Sequence, residues 1–509
     1  MATDTAPKTE ESRLIRQRRW LVSITPIALL LVATLLRFRG LFIVHAHPDE
    51  AIFATWARMI GTWQAPLLQG ELVDKPPLLF YLQGSLYPLL GTPAIWVSRL
   101  PNLVASILIV PVTLRFARDL YRDRLTTVVT AMLATFSPLL VAFSSTSFTD
   151  PLMTALVMGA LLAFRRSSPG DSGASASKGD DRSEFRRTFG AGLLMGLAVA
   201  TKYQALLFVP LQIGLGCFHG HPARLWRSWL AGFSVPLLCL FGWSLARDGM
   251  PGIWGLQAEN YGGLRLAWSW ELWPRLEAWG ELWGSLLNAP VLAFALILAS
   301  PVFLALLIQR QDRHTALDQM LLIFLLVYVT MHWFVAVPIW DRYLVPVAPL
   351  AITLLGRFVS RVVSFVAPEI PLQKRWLHAG PVMLILTLVA GPVIADQDAG
   401  ASAIHSQDGP AAVAGELADA PYGAVLYDHW FSWELRYALM DGKVYLSWFA
   451  HPEALVADLD AFLGHGPARY VVLPRGPAAI PVIRALGDAS YSLQTVRVFP
   501  RLILYEVRE

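Results

Sequence analysis

The sequence predicts a polytopic α-helical membrane protein with a small external α/β domain at its C-terminal end. Three observations carry that expectation: the apolar composition, the recurrence of apolar runs about twenty residues long, and the alternation of Lys/Arg content between the loops joining them. Of 509 residues, 55% are hydrophobic and only 15% charged, and the mean hydropathy is +0.49. Soluble chains are about 45–50% apolar. A formal charge of +4 could suggest nucleic acid, but charges this sparse, placed by topology, exclude that partner. Cys217 and Cys239 both sit in apolar runs, which excludes a disulfide framework and a zinc-binding spacing.

A spanning helix needs roughly 20 apolar residues at about 1.5 Å each. The chain then offers about eleven spans, near residues 21–41, 93–117, 125–144, 149–165, 187–202, 204–219, 226–246, 285–308, 318–337, 343–364 and 377–395. Arg13, Arg16, Arg18 and Arg19 precede the first. That run is too long for a signal peptide and lacks a small-residue cleavage pattern, so it reads as a retained anchor. Basic connections at Arg115–Arg124, Arg165–Arg187, Arg224–Arg227, Arg310–Arg313 and Arg357–Arg375 face the cytoplasm by the positive-inside rule. Loops 42–92, 145–149, 247–284 and 338–342, and everything after about residue 396, then face outward, with the N-terminus inside. The Ser/Gly/Asp-rich stretch Ser167–Ser183 is a cytoplasmic linker. The expected domains are a basic arm (1–20), a transmembrane domain (21–395) with a catalytic first external loop (42–92), and an extracytoplasmic α/β domain (396–509), in a plasma or inner membrane.

The C-terminal region alternates short β-rich runs, Ala424–Tyr427, Tyr470–Leu473 and Leu502–Tyr505, with helix-like stretches at Trp430–Met440 and Pro452–Leu463. In the first loop, Pro48 opens a helix that carries Asp49 and Glu50 in its first turn, followed by Phe53, Trp56, Ala57 and Met59 at helical spacing. An amphipathic helix of this kind lies along a membrane surface. Acids beside an N-terminal proline also cap a helix, which is the plain alternative for this pair.

The order of motifs goes further. After the acidic pair come Asp74-Lys75-Pro76-Pro77, the apolar Leu78–Gln83, and Ser98-Arg99-Leu100-Pro101. Then follow Phe148-Thr149-Asp150-Pro151-Leu152, Gly196–Lys202, and Asp341-Arg342-Tyr343-Leu344-Val345-Pro346. This order resembles the protein O-mannosyltransferase and aminoarabinose transferase superfamily, membrane glycosyltransferases of C-type fold, over residues 15–365. The resemblance implies a polyprenyl- or dolichyl-phosphate-linked sugar as donor and an external protein, lipid or glycan as acceptor. It carries the role of catalytic base or acceptor-orienting group over to Asp49, with Glu50 as its neighbour.

The chemistry is coherent with those residue types. A carboxylate can take the proton of an attacking hydroxyl, direct transfer inverts the anomeric centre, and cations stabilise the departing lipid phosphate. Lys75, Lys202 and Arg342 are the candidate cations, with Tyr343 as a hydrogen-bonding neighbour and Arg37, near the outer end of the first span, as a further phosphate ligand. Snorkelling to lipid headgroups is the alternative for these cations. Asp150 is either a second carboxylate facing Asp49 or a helix cap ahead of Pro151. Asp74 either orients Lys75 or contributes an oxygen to a divalent cation, for which nothing in the sequence fixes a coordination sphere. The aromatics Trp254, Tyr261, Trp268, Trp270, Trp273, Trp279 and Trp283 read either as an interfacial belt or as a lid over a sugar. A lipid flippase or transporter and a catalytically silent assembly subunit are the competing functions.

Overall fold

The computed structural model describes residues 27–42, 46–165, 180–218, 220–247, 265–287, 313–366, 409–462 and 467–509. Packing divides the chain into two compact units. The first contains the residues up to Leu41, Gln69–Leu79 and Leu100–Gln397; the second contains Phe42–Leu68, Phe80–Arg99 and Asp398–Glu509. This division differs from the expected one, which kept loop 42–92 with the transmembrane region.

The helices are α1 (Ile27–Phe38), α2 (Pro48–Gly61), α3 (Leu78–Leu90), α4 (Trp96–Tyr121), α5 (Arg124–Phe136), α6 (Pro138–Ala142), α7 (Asp150–Arg165), α8 (Asp180–Thr201), α9 (Val209–Phe218), α10 (Ala223–Arg247), α11 (Ser269–Leu287), α12 (Arg313–Phe334) and α13 (Ala348–Val366). Among the described residues, four helices are long and apolar enough to cross a membrane: α4, α10, most of α12 and most of α13. Shorter apolar helices occupy Ile27–Phe38, Leu78–Leu90, Arg124–Phe136 and Tyr203–Phe218. The expected spans at 377–395 and, beyond residue 287, at 285–308 lie outside the described residues, as do the basic arm and most of the linker Ser167–Ser183.

In the first unit, α8 and α10 approach through glycine. A Cβ on Gly192 would stand 2.0 Å from the Trp229 carbonyl oxygen, and one on Gly232 would stand 2.1 Å from that of Phe189. Neither position tolerates a side chain without separating the helices. Gly192 and Gly196 form a small-xxx-small seam, the means by which apolar helices gain van der Waals contact where no hydrophobic drive exists between them. The seam fixes α8, and Lys202 follows directly at its end. Helix α5 is closed by an unexpected group, Arg37, which is fully buried and donates to the carbonyls of Ala134 (2.8 Å), Thr135 (3.2 Å) and Ala33 (3.2 Å). A cation on the last carbonyls of a helix satisfies orphan acceptors and the macrodipole together.

In the second unit, residues 409–509 contain a five-stranded mixed sheet, with strands β1 (Val425–Asp428), β2 (Tyr445–Trp448), β3 (Arg469–Pro474), β4 (Ser492–Val498) and β5 (Leu502–Arg508). The order is β2-β1-β3-β5-β4; β1 pairs parallel with β2 and β3, and β5 pairs antiparallel with β3 and β4. Alternate residues feed two cores. Leu426, Val472, Leu502 and Leu504 pack with α14 (Pro410–Glu416) and α15 (Ser432–Ala438). Tyr427, Val471 and Leu473 pack with α16 (Pro452–Ala461) and α17 (Ile480–Asp488). This is the period-two logic of a sheet buried on both faces.

The same unit includes α2 and the residues of α3 from Phe80 onward. Arg58 of α2 donates to the Tyr437 carbonyl (3.2 Å), pairs with Asp441 (2.5 Å) and lies 5.1 Å from the centroid of the Tyr437 ring. The Tyr437 hydroxyl donates to the Pro93 carbonyl (2.5 Å) and lies 3.3 Å from that of Tyr87. Helices α2 and α3 meet where a Cβ on Gly61 would come within 2.4 Å of the Gly84 carbonyl oxygen. These contacts tie α2 and the residues from Phe80 onward to the C-terminal sheet.

Candidate functional site

In the first unit, four separate stretches of sequence gather charge. Asp150 opens α7 and is 1% exposed. Asn102 of α4 prepares that helix start by donating to the carbonyls of Thr146 and Phe148, each at 2.6 Å. Lys202 ends α8 in extended backbone, ahead of a 3-10 turn at Tyr203–Phe208. Its ammonium lies 2.6 Å from the Asp150 carboxylate and 4.9 Å from the centroid of the Tyr343 ring. Both residues of that ion pair are buried. Arg342 and Tyr343 belong to a second 3-10 turn, Asp341–Leu344. The Arg342 guanidinium lies over Phe148 (5.2 Å) and Trp340 (5.6 Å), and Lys75 forms an ion pair with Asp74. Lys202 feels the positive charge of both Arg342 and Lys75. Mutually repelling cations with little exposure are an arrangement that an anion relieves.

A polar network fixes this cluster. The Tyr328 hydroxyl donates to the Tyr343 carbonyl (2.7 Å) and accepts from Gln204, whose amide lies 3.2 Å from the His332 ring. Arg275 of α11 donates to the carbonyls of His332 (2.6 Å), Trp333 (2.8 Å) and Val335 (2.5 Å), closing the end of α12. On α11, Trp279 is buried and Trp273 exposed; just before it, Trp268 stacks on the exposed Trp270. Trp254, Tyr261 and the side chain of Trp283 lie outside the described residues. The roles of Asn102, Tyr328 and Gln204 were not legible, because their partners lie tens of residues away.

In the second unit, Asp49 and Glu50 diverge. Glu50 forms a capping box with His47 at the start of α2. Its carboxylate also takes two bonds from Arg99, Nε at 3.1 Å and Nη2 at 3.2 Å, with both side chains fully buried. The Glu50 carboxylate is thus tied to Arg99 and to the start of α2. Asp49 is half-buried on the first turn, and its backbone N–H donates to the His47 ring (3.1 Å). In the first unit, the fully buried Arg37 guanidinium donates to the carbonyls that end α5. Among the described residues, no group of three His, Cys, Asp or Glu could hold a metal ion. Asp74, the candidate metal ligand, forms an ion pair with Lys75.

The comparisons agree with this architecture. Residues 74–244, about a third of the chain, match the model of the dolichyl-phosphate-mannose-protein mannosyltransferase family. No curated protein matches the sequence. ArnT from Cupriavidus metallidurans in the apo state superposes with a TM-score of 0.64 at 16% identity, covering 96% of this chain and 98% of that one. Its complex with undecaprenyl phosphate gives 0.61 at 15% identity, covering 94% and 97%. The oligosaccharyltransferase AglB of Archaeoglobus fulgidus, in complex with an inhibitory peptide and a dolichol-phosphate, gives 0.54 at 12% identity, covering 89% and 70%. The fold is thus the one that ArnT and AglB share.

Proposed function

We propose that the chain is an inverting glycosyltransferase that moves a sugar from a polyprenyl-phosphate donor to a protein, lipid or glycan acceptor on the external membrane face. The observation that carries this reading is the gathering of Lys75 and Arg342 about the buried Lys202–Asp150 ion pair, with Tyr343 beside it. Lipid phosphate is the anion that suits such a set, and solved structures of the same fold hold undecaprenyl phosphate or dolichol-phosphate.

In the proposed reaction the acceptor hydroxyl attacks the anomeric carbon, its proton passes to the Asp49 carboxylate, and the bond from anomeric carbon to phosphate oxygen breaks. The charge on the departing phosphate rises in that step, so cations held in advance stabilise the transition state more than the donor. Arg342 contributes a planar, bidentate grip and Lys75 and Lys202 contribute point charges. Asp150 holds Lys202 in place and keeps it charged.

Binding of undecaprenyl phosphate to the purified protein tests the assignment. Lys202→Met should weaken it at least about tenfold, the loss expected for one charge-assisted contact of about 1.5–3 kcal/mol. The Asp150→Asn/Lys202→Met double variant avoids a buried unpaired carboxylate and should show the same loss. Unchanged affinity in the folded double variant would remove the pair from the donor site.

A further inference from the structure

The second unit contains a cavity of about 290 Å³ that the proposed transfer does not use. It lies beside α2, between the turn Pro93–Trp96 and helices α14 and α15. Its walls include Phe42, Ile95, Trp96 and Ala414, with Tyr437 and Glu434 as the polar residues. The size is at the lower end of small-molecule sites, which run from about 300 to 1,000 Å³ and combine apolar walls with a few placed polar groups.

The two polar residues differ in availability. The Tyr437 hydroxyl is spent on Pro93 and Tyr87. Glu434 is 9% exposed, and its carboxyl accepts from its own backbone N–H. A carboxylate this deeply buried is costly in a folded protein unless it is paired with a cation. Its surroundings select the sign of a partner, because Asp428 at the end of β1 and Asp49 on α2 both add negative potential at Glu434. Burial and these two carboxylates raise its pKa to about 7, a cost that a cation would remove.

We infer that this cavity is a binding site for a small amphiphilic amine, an apolar body seated against Phe42, Ile95 and Trp96 with its ammonium on the Glu434 carboxylate. A neutral alcohol of the same shape would gain the apolar contacts but not the charge pairing. A carboxylate would be repelled by all three acids.

The test uses the full chain in zwitterionic nanodiscs, titrated calorimetrically at pH 8 with n-hexylamine, n-hexanol and hexanoate, with empty nanodiscs subtracted. Saturable hexylamine binding, stronger than that of hexanol and absent for hexanoate, is the expected result. Glu434→Gln preserves shape and removes the charge, so it should weaken hexylamine at least about tenfold and leave hexanol unchanged. Ala414→Leu narrows the cavity and should weaken both. The inference is overturned if wild type shows no saturable hexylamine binding, or if both variants, folded by thermal melt, bind it as wild type does.

Discussion

Replacing Arg99 by methionine would strand the Glu50 carboxylate where neither partner has solvent exposure. Two bonds, at 3.1 and 3.2 Å, would be lost at once. Breaking a buried ion pair from one side costs about 3–5 kcal/mol, mostly because the remaining charge is left without compensation. Glu50→Gln should cost a comparable amount by stranding Arg99. The double variant removes both charges, and a glutamine at the third helical position can still complete the capping box, so it should fall within about 1 kcal/mol of wild type. The assay is reversible unfolding in mixed micelles by added SDS, followed by far-ultraviolet circular dichroism, with all four proteins compared as a double-mutant cycle. Single variants costing under about 1 kcal/mol, or a double variant whose cost is the sum of the singles, would refute the stranded-charge argument. Sugar transfer by the double variant is the accompanying readout. Persistence is the outcome expected of a carboxylate whose bonds go to Arg99 and the helix start.

Two further predictions concern stability. Gly232→Leu places a side chain where even a Cβ would meet the Phe189 carbonyl oxygen at 2.1 Å, so α8 and α10 must part. The variant should lose folded yield, read by size-exclusion chromatography, whereas Gly242→Ala, with open space around it, should not. Glu434 supplies a pH dependence whose sign is fixed. Its folded pKa of about 7 exceeds the ordinary 4.5, so the folded state binds the extra proton and stability falls as pH rises from about 4.5 through 7. A rise of that size amounts to about 3 kcal/mol. The stability of Glu434→Gln relative to wild type should therefore grow between pH 5 and pH 8. A difference that stays flat with pH would contradict the burial argument.

Much of the backbone was legible because its signals are local. Pro48 with acids after it marked the start of α2, although the structure adds His47 as the cap. The runs beginning at Ala424, Tyr470 and Leu502 fall on β1, β3 and β5, which are buried enough to read as apolar. Strand β2 was missed because it is only four residues long, and β4 because it is mostly exposed and mixes Leu493, Val496 and Val498 with polar residues. The glycine seam between α8 and α10 was present in the sequence but means something only once both helices are paired. The site was less legible. The residue types at Asp150, Lys202, Arg342 and Lys75 announced themselves, but their partners did not. Arg99 is 49 positions from Glu50, and Arg37 is 98 from Thr135. No spacing rule reaches so far along the chain.

The central claim is transfer of a sugar from a lipid phosphate, and its most direct test is radiolabelled transfer in membranes. Wild type, Asp49→Asn and Lys202→Met would each be supplied with a panel of polyprenyl-phosphate sugars and native acceptors at matched expression. The account predicts label in an acceptor with wild type and a loss of about 10²–10⁴ in rate with Asp49→Asn, the usual worth of a general base. Donor binding should survive in Asp49→Asn and weaken in Lys202→Met. Equal transfer by all three proteins, or label that only changes leaflet without reaching an acceptor, would contradict it.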